Sequence, residues 1–111
     1  MEPNEVVEVI EELEDEVNNG GFHQYFNNSS GDNAAAAVNA LETIRAFRMA
    51  HILKRAIAKF PENVVPEDRG ARLEILWNSF PNTNEFDDLD SEFLAYPDDI
   101  SAMIAKYRAQ A

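Results

Sequence analysis

The chain has 111 residues, of which 45% are hydrophobic, 21 are Asp or Glu and nine are Lys or Arg. This length fits one domain with one core, and the net charge of −12 disfavours direct contact with nucleic acid and favours a cationic protein as partner. The absence of cysteine excludes disulfides and thiolate metal ligands.

The acidic residues are unevenly distributed along the chain. Residues 1–44 contain ten acidic and no basic residues, residues 45–72 contain seven basic and three acidic ones, and residues 73–105 contain eight acidic and no basic ones. Two acidic blocks therefore flank a basic middle. The sequence has no long apolar run and no basic start followed by an apolar stretch, so we expect a soluble, cytoplasmic protein without membrane contact.

The first predicted helix begins at a cap on Asn4 and ends near Asn19. Apolar residues recur along it at steps of three and four, which places them on one face. The other face is almost wholly acidic, although like charges one turn apart destabilise a helix. We therefore predict that this face binds a partner. Its residues are Glu5, Glu8, Glu11, Glu12, Asp15 and Glu16.

The stretch from Val17 to Asp32 follows this helix and reads VNNGGFHQYFNNSSGD. Its paired glycines can take positive φ angles, which predicts a helix stop and a turn. Three aromatic residues come next, Phe22, Tyr25 and Phe26, and one helical turn would put them on one side. We interpret the stretch as a structural corner that packs into the core rather than as a ligand-binding loop.

A second helix is predicted to start at Asp32 or Asn33, and the helical pattern continues to Phe60, where Pro61 ends it. The apolar faces before and after Arg45 are out of phase, so we predict a kink or break at residues 45–48. The basic run in this region is interpreted as a helix that neutralises neighbouring acids or faces solvent, rather than as a nucleic-acid contact.

The remaining third of the chain predicts three more helices. One starts near Pro66 or Glu67, a short one lies within residues 85–96, and the last follows a cap on Asp98. The apolar residues assigned to the first of these are Leu73, Leu76, Trp77 and Phe80. A second acidic patch is assigned to Asp87, Asp88, Asp90 and Glu92. No segment alternates as a strand does, so we predict an all-α fold, a single compact domain of about five to six helices.

Two arrangements in the sequence resemble chemical sites but lack features that those sites need. His23 with Ser29, Ser30 and Asp32 lacks the strand-to-helix elbow and oxyanion motif of a Ser-His-Asp site. The spacing of Asp88, Asp90, Glu92 and Asp99 matches a calcium loop, but Phe93 stands where that loop needs glycine. We predict no catalytic residue, no metal ion and no cofactor, and hence not an enzyme.

The order of these motifs resembles the bacterial DNA-mimic protein family. The similarity covers about residues 12–107, and a second, weaker motif comprises Leu89, Asp90 and Phe93. Where the family commonly has Ile-Gly-Ala, this chain has Ile44-Arg45-Ala46. The most specific part of the resemblance is the motif Asn19, Gly20, Gly21, Phe22, Gln24, Tyr25, Phe26 and Asn28.

The resemblance implies a helical domain, a tendency to dimerise, and binding to a DNA-binding protein in place of DNA. Together with the acidic helix face, it leads us to expect a non-enzymatic inhibitor that occupies the basic surface of a nucleic-acid-binding protein, a role in transcription regulation. The alternative is an acidic immunity-type protein that plugs the active site of a toxin or enzyme. Competition by duplex DNA distinguishes the two.

Overall fold

The computed structural model describes residues 1–111 and contains six α-helices and no strand. Short 3₁₀ turns at Ser29–Asn33, Pro61–Asn63 and Thr83–Phe86 connect some of them. A single core of 26 buried hydrophobic residues lies between the helices. The predicted all-α fold of five to six helices is confirmed. The helices are α1 Pro3–Asn27, α2 Ala34–Thr43, α3 Phe47–Ile57, α4 Arg69–Ser79, α5 Asp87–Leu94 and α6 Ile100–Gln110.

Helix α1 is bent at the paired glycines. Gly20 and Gly21 leave the helical conformation, with φ and ψ of −154° and 17° at Gly20 and 77° and −175° at Gly21. The predicted break is therefore present, but the chain resumes the helix and continues to Asn27. The prediction of Asn4 as the cap is wrong: Glu2 is the N-cap, because a proline at the first helical position needs no N–H partner and has the helical φ already.

The three aromatic residues after the bend are fully buried. Phe22, Tyr25 and Phe26 each have 0% of their surface exposed. The Phe22 ring meets Phe93 of α5 edge to face with centroids 5.5 Å apart, and the Phe26 ring meets Phe60 with centroids 4.9 Å apart. The segment after the bend is therefore packed between α5 and the end of the α3 region, in agreement with its aromatic pattern.

The predicted break between the second and third helices is confirmed at Arg45. This residue has a φ of 67°, a left-handed conformation that glycine adopts more readily. Helix α3 then begins at Phe47, and its first N–H groups are capped by a residue that is distant in the sequence. The buried Asp98 accepts hydrogen bonds from the backbone N–H of Arg48 at 2.8 Å and of Met49 at 3.0 Å. Helix α3 ends at Ile57 rather than at Phe60.

The caps of the last helices differ from the predictions by one to three residues. Asp99 caps α6 by accepting from the Ala102 N–H at 3.1 Å, and the prediction of Asp98 is wrong because α3 uses that carboxylate. Asp68 caps α4 by accepting from the Ala71 N–H at 2.9 Å, so α4 starts later than predicted.

Helix α4 also presents a different face to the core from the one predicted. Its buried residues are Arg72 and Leu76, which are one turn apart, whereas Trp77 is 47% exposed and Leu73 is only partly buried. The buried guanidinium of Arg72 accounts for this rotation, since it bonds to groups in the protein interior. None of the six helices combines the length and the apolar composition needed to cross a membrane.

Candidate partner-binding surface

The outer side of α1 carries four exposed carboxylates at helical spacing. The apolar residues Ile10, Leu13 and Val17 are buried on one side of the helix, and four of its acidic residues point to solvent instead. The exposed members are Glu5, Glu8, Glu11 and Asp15, which we call the acidic face. No Lys or Arg nitrogen lies within 4.0 Å of these carboxylates. The three ion pairs of the protein are elsewhere: Lys54–Glu42, Arg55–Glu92 and Arg72–Asp32.

Successive members of the acidic face are three or four residues apart. At about 1.5 Å of rise per residue, this corresponds to steps of about 4.5 to 6 Å along the helix axis. Each nucleic-acid strand carries a phosphate charge about every 3.4 Å of helix axis, so the acidic face is a sparser but similarly linear row of negative charge. It offers negative charge to a cationic groove but no base edges to read.

The other two acidic residues assigned to this helix face, Glu12 and Glu16, make hydrogen bonds within the protein. Glu12 accepts a hydrogen bond from Asn33 Nδ2 at 3.0 Å. Glu16 accepts from Gln24 Nε2 at 2.7 Å and from Asn28 Nδ2 at 3.0 Å, so one carboxylate joins both sides of the glycine bend. Both are partly buried. These bonds give Gln24 and Asn28 of the motif a structural role, whereas Asn19 of the motif is exposed.

Glu14 was not among the predicted site residues, and it lies on the flank of α1 that faces α5. Its Oε1 atom accepts a hydrogen bond of 3.0 Å from the Tyr96 hydroxyl, and Asn18 Nδ2 donates to the same hydroxyl at 2.9 Å. Burial raises the pKa of Glu14 and the charges of Glu11 and Asp15 raise it further, while the bond from Tyr96 opposes the shift. The exposed carboxylates of Glu11 and Asp15 thus disfavour ionisation of the partly buried Glu14.

The second predicted patch, on α5, also contains two free carboxylates and two that are bonded within the protein. Asp87 and Asp88 are exposed. Asp90 is partly buried and accepts from the backbone N–H of Phe22 at 2.8 Å, while Glu92 pairs with Arg55 Nη1 at 2.7 Å. Burial raises the pKa of Asp90, and the bond from Arg55 lowers the pKa of Glu92. The four predicted residues therefore do not form one set of free carboxylates.

Arg72 is a residue whose role the sequence analysis missed. It is 0% exposed, and its Nε donates to the carbonyl oxygen of Phe26 at 2.7 Å. Its Nη2 reaches the carbonyl oxygen of Asn28 and the Asp32 carboxylate at 2.9 and 2.8 Å, and its Nη1 reaches two carbonyl oxygens just before α4 at 2.9 and 3.1 Å. Arg72 therefore joins the end of the motif to α4. The sequence does contain one signal for this buried role: Arg72 lies one turn before Leu76, on the apolar side of α4.

The residues of the possible Ser-His-Asp site and of the possible calcium loop make other contacts and form neither site. His23 Nε2 lies 2.9 Å from the carbonyl oxygen of Phe80, and Ser30 Oγ donates to the carbonyl oxygen of Tyr25 at 2.8 Å. Asp32 pairs with Arg72 instead of orienting a histidine. Asp88, Asp90 and Glu92 lie on a regular helix, not on a calcium loop, and no group of three or more His, Asp or Glu side chains is placed to hold a metal ion.

The comparison with family models supports the resemblance that the sequence motifs indicated. The model of the DMP19-like protein family matches residues 2–111, which is nearly the whole chain. This family is of the DNA-mimic type and is not a family of enzymes. Searches of curated proteins and of solved structures gave no match. The match over 2–111 establishes that the chain belongs to the DMP19-like protein family.

Proposed function

We propose that this protein is a non-enzymatic DNA mimic that inhibits a DNA-binding protein. Its acidic face occupies the basic surface of that protein and so blocks access to DNA, as a regulator of transcription in the bacterial cytoplasm. The observation that carries the proposal is that Glu5, Glu8, Glu11 and Asp15 are exposed at helical spacing with no Lys or Arg within 4.0 Å. Nothing within the fold neutralises this row.

The cost of leaving these charges together supports an intermolecular role. Like charges one turn apart destabilise a helix, and this protein has nine Lys and Arg residues that could have been placed beside them. Instead, Lys54 and Arg55 pair with Glu42 and Glu92 elsewhere. A cationic partner would relieve the repulsion on binding, and the concentrated negative field would speed its approach.

Two further elements belong to the proposal. Asp87 and Asp88 are the exposed carboxylates of α5, and they add to the negative field that a partner meets. A homodimer, which the family resemblance implies, would present the acidic face twice. That arrangement suits partners that contact DNA as symmetric dimers.

A pull-down tests the proposal with a matched pair of double variants. The purified protein is immobilised, exposed to a lysate of its own cells, and washed first with graded salt and then with duplex DNA. We expect a basic DNA-binding protein to be retained at low salt and released by duplex DNA. Glu8→Gln with Glu11→Gln should reduce retention by about tenfold or more, whereas Glu62→Gln with Glu74→Gln, which removes the same charge from exposed sites elsewhere, should not.

Two outcomes would contradict DNA mimicry. One is a partner that duplex DNA does not displace, which is the behaviour of an immunity-type protein that plugs an active site. The other is equal retention by both double variants.

A further inference from the structure

A cleft of about 400 Å³ lies beside α3, on a part of the protein that the acidic face does not use. Its wall is formed by the first turns of α3, by α5 and by Pro97. The aromatic and polar residues that line it are Phe47, Arg48, His51, Arg55 and Glu92. The cleft is broadly open to solvent, so a ligand bound there would stay partly exposed.

The polar groups of α3 converge on the cleft because of their spacing. Arg48, His51 and Arg55 are three and four residues apart, so they lie on one side of the helix. The residues that line the cleft include two arginines and one glutamate, while the carboxylates of Asp98 and Asp88 lie near Arg48 and Arg55. Three side chains that can donate hydrogen bonds to an anion thus face the same space.

Arg48 is the residue best placed to bind an anion. Its backbone N–H is held by Asp98 at 2.8 Å, which fixes the start of its side chain. Its guanidinium has one long contact, 3.5 Å from Nη1 to the carbonyl oxygen of Pro97, and pairs with no carboxylate. An arginine with free donors can bind a phosphate through two parallel hydrogen bonds.

Phe47 supplies an apolar surface next to this arginine. It is 59% exposed, the largest fraction among the exposed large hydrophobic residues. It is not part of the core, so packing does not explain its presence at the first position of α3. A phenylalanine ring open to solvent beside a cationic group is a suitable surface for stacking a nucleic-acid base.

Glu92 of α5 adds an acceptor to the lining of the cleft. It pairs with Arg55 at 2.7 Å, and 45% of its side chain is exposed. Its accessible surface can accept hydrogen bonds from hydroxyl groups. The cleft therefore combines an aromatic surface, phosphate donors and a hydroxyl acceptor.

We propose that this cleft binds a nucleoside monophosphate. The base stacks on Phe47, the phosphate receives hydrogen bonds from Arg48 and His51, and the ribose hydroxyls donate to Glu92. The proposal is independent of the DNA-mimic function, since it uses none of the four residues of the acidic face.

Titration of the full-length, ¹⁵N-labelled protein with adenosine monophosphate tests the site. We expect chemical-shift changes confined to residues 47–55 and Glu92. Calorimetry should show that Arg48→Gln and Phe47→Ala each weaken binding by about tenfold or more, since each removes one of the two main contacts. Adenosine alone and inorganic phosphate alone should bind at least about tenfold more weakly than the nucleotide.

Arg45→Gln is the matched control, because this exposed arginine lies three residues before Arg48 and does not line the cleft. It should leave the affinity unchanged, and all variants should keep the thermal transition of the parent. The proposal is overturned if millimolar nucleotide produces no local shifts, or if Arg48→Gln binds as well as the parent. It is also overturned if the Phe47 amide shifts with protein concentration alone, because a second copy then covers the cleft.

Discussion

The Oδ1 atom of Asp90 accepts a hydrogen bond of 2.8 Å from the backbone N–H of Phe22, across 68 residues of sequence. This bond joins the two sequence motifs on which the resemblance to the family rests. The segment after the glycine bend starts at Phe22, where an N–H lacks a partner within the helix, and Asp90 supplies one. A Cβ atom at Gly21 would collide with the same carboxylate, so the bend needs glycine for space as well as for its φ of 77°.

Replacing Asp90 tests this capping role. Asp90→Ala should lower the free energy of unfolding by about 1–2 kcal/mol, as loss of a helix cap does. Asp90→Asn retains an acceptor oxygen and should cost less. Asp87→Ala, an exposed change on the same helix, should stay within about 0.5 kcal/mol of the parent. Urea denaturation measures all three, and equal effects of the Ala and Asn changes would contradict the role.

Arg72→Lys should be strongly destabilising although it keeps the charge. A lysine ammonium cannot reproduce the fork of donors that reaches Phe26, Asn28 and Asp32, so buried carbonyl oxygens lose their partners. We expect a loss of about 3 kcal/mol or more in urea denaturation. Arg69→Ala removes an exposed arginine of the same helix and should cost less than about 1 kcal/mol. Similar losses for the two variants would contradict the structural role of Arg72.

Tyr25→Phe should stabilise the protein. The Tyr25 hydroxyl is buried and has no hydrogen-bond partner in the protein, and burial, followed by the charge of Glu12, raises the pKa of this phenol. Removing an unsatisfied buried hydroxyl should add about 1 kcal/mol. Tyr96→Phe is the matched comparison, because it loses bonds to Asn18 and Glu14 and should destabilise by about 1 kcal/mol. Thermal unfolding of the two variants should shift in opposite directions, and a loss of stability in Tyr25→Phe would contradict this account.

Mild acidification should raise the stability of the protein. Burial raises the pKa of Glu14 and of Asp90 above the ordinary values. A carboxyl with a higher pKa in the folded state binds its proton more tightly there, so its contribution is greatest below the ordinary pKa and is lost as the pH rises through the folded pKa. Between about pH 4 and pH 7 the melting temperature should therefore fall with rising pH, and repulsion within a chain of charge −12 acts in the same direction.

Glu14→Gln and Asp90→Asn should each flatten this pH dependence, since each removes one of the two carboxyls whose pKa burial raises. Glu62→Gln, an exposed change, should leave the slope as it is. A melting temperature that rises from about pH 4 to pH 7 would show that other groups dominate the proton linkage.

Local patterns in the sequence predicted most of the fold. The helical spacing of Phe22, Tyr25 and Phe26 predicted their burial, and the change of apolar phase near Arg45 predicted the break that the structure has there. These features depend on residues within one or two turns of each other. Single-sequence patterns report such relationships directly.

Contacts between distant residues account for what the patterns missed. Asp98 accepts from helix N–H groups 49 and 50 residues earlier, and Arg72 bonds to a motif more than 40 residues away, so neither role is visible in a local window. The acidic residues show the same limit. Glu12 and Glu16 lie about one helical turn apart, as Glu8 and Glu11 do, but only the fold shows that the first two accept hydrogen bonds from Asn33, Gln24 and Asn28. Sequence spacing alone cannot distinguish a free carboxylate from a bonded one.

The central claim is that the acidic face replaces DNA on a basic protein. The most direct measurement is a competition in which the captured partner is bound to labelled duplex DNA and titrated with this protein at several salt concentrations. We predict that the protein displaces the DNA, that its affinity falls steeply with salt, and that Glu8→Gln with Glu11→Gln weakens displacement by about tenfold or more. A ternary complex in which partner, DNA and this protein bind together would contradict the claim.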